Sequence, residues 1–408
     1  MRTTTLVLVS LMLLGALWAP PASAQGSLWP SQNGQIAFRS DRDGEPDVFT
    51  VDQSGSAPTN LTANSGIVDT QPAWSPEGER IAFVRQSRIG GKPDLYVMTA
   101  AGNGRTRLTR TTVPERDPAW SPNGTRIAYA ARTSAKGPFR IFVANADGSG
   151  PVQLTTQPRG SADRSPVWSP DGSRIAFVSD RDGGFPEVYV MNADGTGEDR
   201  LTANDWIDGN PTWSPDGTRI AVERCCANGT SDLVAIDALT RAETNLTDST
   251  SFQEFDPAWS PDGSRIAFVA FQVDEGNIDI WLMNADGSGL FRLTNDAAVD
   301  LSPDWQPLPV CTIRGTGGAD DLVGTAGNDV ICALAGDDVV RGDFGDDLIL
   351  GGKGSDSLEG QFGDDLVFGE GGADVLDGGP GYDGLDGGPA SDTCIPGADG
   401  AFTRRCEA

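Results

Sequence analysis

Nine aspartates recur at a strict interval of nine residues in the C-terminal quarter of the chain: Asp320, Asp329, Asp338, Asp347, Asp356, Asp365, Asp374, Asp383 and Asp392. Carboxylates held at a fixed period in glycine-rich sequence are hard oxygen donors. They suit calcium, which takes roughly six to eight oxygen ligands at about 2.3–2.6 Å. The chain has no histidine, which excludes imidazole-ligated metals and nucleophilic sites of the Ser-His-Asp or Cys-His type. With 58 acidic and 30 basic residues the formal net charge is −28, which argues against nucleic acid as a partner and for cations.

The positioning elements follow from the same period. From Gly315 to Ile395 the sequence divides into nine nonapeptides, among them GTGGADDLV at 315, GGKGSDSLE at 351 and GGPGYDGLD at 378. Asp fills the sixth place in every copy. Glycine fills the fourth place in all but the last, where Ala390 stands. The eighth place is Leu322, Ile331, Val340, Ile349, Leu358, Val367, Leu376, Leu385 and then Cys394. This pattern resembles the G-G-x-G-x-D-x-U-x repeat of the RTX calcium-binding family. The resemblance implies a parallel β-roll with two nonapeptides per turn, so that residue i stacks near residue i+18 and the eighth-place aliphatics point inward.

The aspartates then fall into two columns, 320-338-356-374-392 and 329-347-365-383, and adjacent levels would hold up to about seven calcium ions. Like charges about 5 Å apart repel by roughly 0.8 kcal/mol even in water. One small aliphatic per nine residues hardly offsets the chain entropy lost on ordering. Folding of the roll is therefore expected to depend on calcium.

A second repeat precedes it. Trp74, Trp120, Trp168, Trp213, Trp259 and Trp305 are spaced by 46, 48, 45, 46 and 46 residues. Around them recur segments such as PAWSPEGERIAF at 72 and PAWSPDGSRIAF at 257, followed by a half such as DIWLMNADGSGLFRLT from Asp279. Ser-Pro-Asp-Gly fits a type I turn, Arg-Ile-Ala-Phe and Val-Tyr-Val-Met are strands, Asn-Ala-Asp-Gly-Ser-Gly is a hairpin loop, and Arg-Leu-Thr is a short outer strand. Each unit thus has the four strands of one propeller blade, with Trp as packing between blades. The first unit, from Gly34, lacks its Pro-x-Trp strand, and Ser302 to Pro307 supplies it from the far end, closing a ring of six blades.

These repeats resemble the TolB-type propeller over roughly residues 33 to 307. The resemblance implies a six-bladed propeller with a tendency to bind proteins. Because the repeats begin soon after Gln25, the separate N-terminal domain of TolB is not expected, and the Tol–Pal role is not carried over. The residues before each repeat proline, Gln71, Asp117, Ser165, Asn210, Asp256 and Ser302, occupy equivalent inner-strand places. They form either a polar ring around the axis, where Asp117 and Asp256 would take a cation or a basic side chain, or solvated loop positions.

The remaining signals concern compartment. Met1-Arg2, the apolar run Leu6 to Trp18 and Ala22-Ser23-Ala24 before Gln25 read as a cleaved secretory signal, and no later segment is apolar enough to span a membrane. Six cysteines suit an oxidising compartment. Cys311 with Cys332 and Cys394 with Cys406 would staple the two ends of the C-terminal module, while Cys225-Cys226 is either a vicinal bridge or two thiols. The expected organisation is all-β: a signal peptide over 1–24, a six-bladed β-propeller over 25–307, a parallel β-roll over 308–395 and a disulfide-tied tail over 396–408. The expected function is a secreted calcium-binding protein whose propeller mouth or face binds a protein partner. The alternative is a calcium-dependent propeller enzyme of lactonase, lyase or glycosidase type using carboxylates.

Overall fold

A computed structural model describes residues 31–63, 66–87, 91–156, 160–225, 230–249, 251–272, 276–397 and 401–406. Every regular element among them is a β-strand, and no helix among them is long and apolar enough to cross a membrane. The signal-like segment and Cys226, with its expected relation to Cys225, lie outside the described residues.

Six four-stranded antiparallel sheets form the propeller, as the repeat arithmetic predicts. We number the blades 1 to 6 by their second strand in chain order. Blade 1 takes its innermost strand, Asp300–Pro309, from the end of the array, and that strand pairs with Ser31–Ser40 from Ser40↔Asp300 to Ser31↔Pro309. Each Ser-Pro-x-Gly turn is closed by a glycine N–H donating to the serine carbonyl, as from Gly78 to Ser75 at 2.9 Å, and the serine hydroxyl accepts the N–H of the next strand's first residue.

The six tryptophans are at most 8% exposed and sit between neighbouring blades. Trp74 of blade 2, for example, packs with Val48 and Leu61 of blade 1 and with Phe83 and Met98 of its own blade. The turn arginine of one blade lies over the tryptophan of the next: Arg80 over Trp120, Arg174 over Trp213 and Arg219 over Trp259, at 4.5–4.8 Å. Hairpin glycines close the seams. A Cβ on Gly148 would meet the Leu108 carbonyl oxygen at 2.2 Å, and one on Gly55 would meet that of Leu293, linking blade 1 to blade 6.

The Arg-Leu-Thr segment does more than supply an outer strand. The strand itself is two residues in five of the six blades, as in Thr106–Arg107, and ends before the leucine. The leucine then enters the core, and the threonine hydroxyl accepts a backbone N–H from the third strand, at 2.9–3.0 Å in all six blades. A threonine satisfies a donor that the truncated ladder leaves over.

Beyond Pro309 the chain winds into a parallel roll of two sheets, with six and five strands. Every pairing steps by 18 residues, as Ile331↔Ile349 and Leu358↔Leu376. The eighth-place residues from Ile331 to Leu385 are fully buried in one narrow core. Disulfides join Cys311 to Cys332 and Cys394 to Cys406 at the two ends, as expected. The six-stranded sheet lies against the turn face of blades 2 and 3.

Candidate calcium repeats and channel ring

The roll brings the nine aspartates into the two columns that the 18-residue stacking predicts. Along each column a carboxylate Oδ1 accepts the N–H of the aspartate 18 residues earlier. Asp338 accepts from Asp320 at 2.7 Å, Asp347 from Asp329 at 2.8 Å, Asp365 from Asp347 at 2.8 Å and Asp392 from Asp374 at 2.9 Å. From Asp338 onward one oxygen of each side chain is thereby fixed to the backbone. The other is left over. Oδ2 of Asp338, Asp347, Asp356, Asp365, Asp374 and Asp392 is buried with no hydrogen-bond partner.

A buried carboxylate oxygen without a donor is costly, and a row of them is costlier. Burial first, and then neighbouring aspartates, push the carboxyls of Asp347 and Asp365 up to about 8, while backbone N–H donors pull the other way. These oxygens fit a divalent cation by charge and by hardness. Among the described residues no three acidic side chains gather closely enough to hold an ion alone, so backbone carbonyls would complete any shell. The fourth-place glycines expose such carbonyls. A Cβ on Gly354, Gly363, Gly372 or Gly381 would fall 1.5–1.9 Å from the glycine carbonyl oxygen 18 residues earlier, at φ of 133–154°.

The first coil differs. Oδ2 of Asp320 accepts the Thr316 N–H at 2.6 Å and its hydroxyl at 2.9 Å, and Oδ2 of Asp329 is held in the same way by Thr325. Second-place threonine, absent from the other seven copies, closes these two carboxylates with the chain's own donors.

The channel contains the second grouping. Gln71, Asp117, Ser165, Asn210, Asp256 and Ser302 lie within the innermost strands, not in solvated loops, and line one axial cavity. All six take φ between 42° and 54°. The following proline has no N–H for the ladder, so each innermost strand bulges at this pair, as the register shift between Thr70 and Ala73 records, and the residue before proline turns to the axis. The ring is internally bonded. Gln71 donates to Asp117, the Ser165 N–H donates to Asp117 at 3.1 Å, and Asn210 donates to Asp256.

Sequence reasoning missed Glu223 and Asp304. Glu223 stands where blades 2, 3, 4 and 6 carry Val84, Ala130, Val178 and Val269 and blade 1 carries Arg39, and it reaches the ring because residue 209 opposite is glycine. A Cβ there would meet Glu223 Oε1 at 2.6 Å. Glu223 Oε2 accepts from Asn210 at 3.1 Å and from the Asp256 N–H at 3.2 Å. Burial and the neighbouring Glu223 carboxylate raise the Asp256 carboxyl, and burial raises Glu223 itself. Asp304, which replaces the small residue before the repeat tryptophan, is raised by burial to about 7 while accepting the Trp74 N–H at 2.5 Å. Aligning the repeats exposes all three departures, since Glu223, Gly209 and Asp304 each occur in one copy.

The fold and sites define a β-propeller protein carrying RTX-type repeats. The TolB β-propeller domain family matches residues 22–136 and 112–255, and the chain belongs to that family. The RTX calcium-binding nonapeptide repeat matches residues 314–349 and 350–385. The Tol-Pal system protein TolB of Anaeromyxobacter dehalogenans is 58% identical over 38 residues, 9% of each chain. A TolB homolog of Chlorobium luteolum is 34% identical over 79 residues, 19% of this chain and 17% of its own. The chain therefore aligns with under a fifth of the length of these relatives. Among solved structures, TolB from Acinetobacter baumannii superposes with a TM-score of 0.58 at 23% identity, covering 67% of this chain and 66% of that one. A nidogen/laminin complex chain gives 0.55 at 13% identity, covering 68% and 99%. At such identities these structures speak to the fold alone.

Proposed function

We propose that the protein is an exported, extracellular or envelope calcium-binding protein, in which the propeller is a scaffold for a protein partner and the roll folds on binding calcium. The reading divides the chain as the repeats suggest: a cleaved leader over 1–24, the propeller to 307, the roll to 395 and a disulfide-tied tail. The observation that carries it is the set of buried, donorless Oδ2 atoms of Asp338, Asp347, Asp356, Asp365, Asp374 and Asp392. Calcium supplies the missing positive charge. The chain supplies fixed carboxylates and, at the glycine turns, stacked carbonyls. Asp320 and Asp329, already satisfied by Thr316 and Thr325, would contribute least, so the bound ions number fewer than about seven.

The test is a calcium titration of the full chain, followed by far-UV circular dichroism and calorimetry with magnesium as control. A cooperative gain of β signal at about 0.1–1 mM calcium is expected, without an equivalent response to magnesium. No response up to about 10 mM calcium, well past the range of extracellular modules, would overturn the reading.

A second reading has one observation in its favour. Glu223 and Asp256 meet in the channel as the sharpest break in repeat symmetry, and paired carboxyls with raised affinity for protons suit acid–base work. A screen for lyase, lactonase and glycosidase turnover, with Glu223→Gln as control, separates the two. Turnover that Glu223→Gln abolishes would favour the enzyme.

A further inference from the structure

We propose that calcium operates the roll as a cover over the turn face of blades 2 to 4; this rests on the calcium-dependent folding proposed above. The evidence is an asymmetry between the two faces of the roll. In the second, fourth and sixth nonapeptides the seventh and ninth places point outward as Val330 and Cys332, Leu348 and Leu350, and Leu366 and Phe368, nearly all buried, while the eighth copy carries Gly384 and Asp386 there. In odd-numbered copies the same places are Asp321 and Val323, Val339 and Arg341, Ser357 and Glu359, and Val375 and Asp377, half-buried or exposed. One sheet is thus apolar on both sides. A strand buried on both faces requires something to cover its outer one.

The propeller provides that surface. Gly124, in the blade 3 turn, is buried beneath Leu366, and a Cβ on it would meet Leu366 Cδ1 at 2.7 Å. Arg80 of blade 2 stacks on Trp120 and also faces the ring of Phe402, which extends the same roll sheet, at 5.8 Å. Charge is matched beside the apolar patch. Arg126 shares a cavity of about 160 Å³ with Asp346 and Asp364 of the roll and Asp171 of blade 4. A larger cavity of about 360 Å³ lies between Thr99, Asn103 and Gly104 of blade 2 and Phe368 of the roll.

The outward seventh places lie between the aspartates and the inward aliphatics, one residue after each aspartate and one before each aliphatic on the same strand. An unfolded roll therefore cannot present the docking face. Calcium forms the sheet, the sheet covers the blade turns, and calcium withdrawal uncovers them for a competing partner.

The experiment is hydrogen–deuterium exchange of the full chain in calcium and in chelator, read at peptides holding residues 99–104 and 122–126, with circular dichroism in parallel. Exchange at these turns is expected to slow roughly tenfold in calcium. Arg126→Glu, which leaves the roll sequence intact, and Leu366→Asp should both keep the calcium-driven gain of β signal and lose the slowing. A β gain with equal exchange at the turns in calcium and chelator overturns the cover and leaves the calcium reading standing. Absence of any β gain overturns both. Slowing that survives both substitutions also overturns the cover, since the proposed face would then not be the one in contact.

Discussion

At the scale of single residues, strain marks where the chain departs from its own repeat. The second place of the nonapeptide sits in the left-handed region wherever it is seen to turn: φ is 100° at Gly352 and 86° at Gly379, but also 76° at Asp343 and 72° at Gln361. Glycine adopts this conformation without a Cβ penalty, and other residues lose about 1–2 kcal/mol there. Gln361→Gly should therefore stabilise the calcium-loaded roll by about 1 kcal/mol, seen as a higher melting temperature in calcium. The sixth-place aspartates were legible because a period of nine is hard to miss. Glu223 was not, because a glutamate in a strand reads as solvent-facing until Gly209 opposite is known to leave it room. Asp304 hid in the same way, behind a tryptophan motif whose other copies place a small or aliphatic residue before the ring.

At the scale of elements, the sequence was a faithful guide wherever a strand buries one face. The Trp spacing, the Ser-Pro-x-Gly turns and the ring closure by Ser302 to Pro307 all follow from repetition, because each blade must present the same seam to its neighbour. The outer sheet of the roll was less transparent. Its signal is an alternation at 18 residues, apolar at both outward places in the second, fourth and sixth copies and mixed in the odd ones, overlaid on the stronger period of nine. The first coil is also a distinct element: its aspartates are capped by Thr316 and Thr325, and Cys311–Cys332 encloses it. Replacing both cysteines with serine removes a constraint worth about 3 kcal/mol for a loop of this length. The calcium midpoint for roll folding should then move to higher concentration. An unchanged midpoint would mean that the first coil is ordered by its threonines and the propeller alone.

At the scale of the whole molecule, charge governs stability in two opposite ways. In the channel, burial lifts Asp304 to about 7 from its usual 3.8, so the folded state holds a proton that the unfolded chain releases. That contribution is complete below about pH 4 and is lost as pH rises through 7. Melting of the propeller should accordingly decline across this window, and Asp304→Asn should flatten the decline. In the roll, each site with a dissociation constant of about 1 mM adds roughly 1.4 kcal/mol at about 10 mM calcium, so its melting should climb with calcium and collapse in chelator.

The closure of the ring has a temporal side. Ser31–Ser40 is among the first strands to be made, and its inner partner, Asp300–Pro309, is the last of the propeller. Until that partner arrives, blade 1 carries a bare inner edge through the making of five other blades. A chain emerging from its N-terminus must keep that edge from pairing with a neighbour. The roll is made after that final strand, so the calcium module leaves synthesis when every strand of its platform is already available.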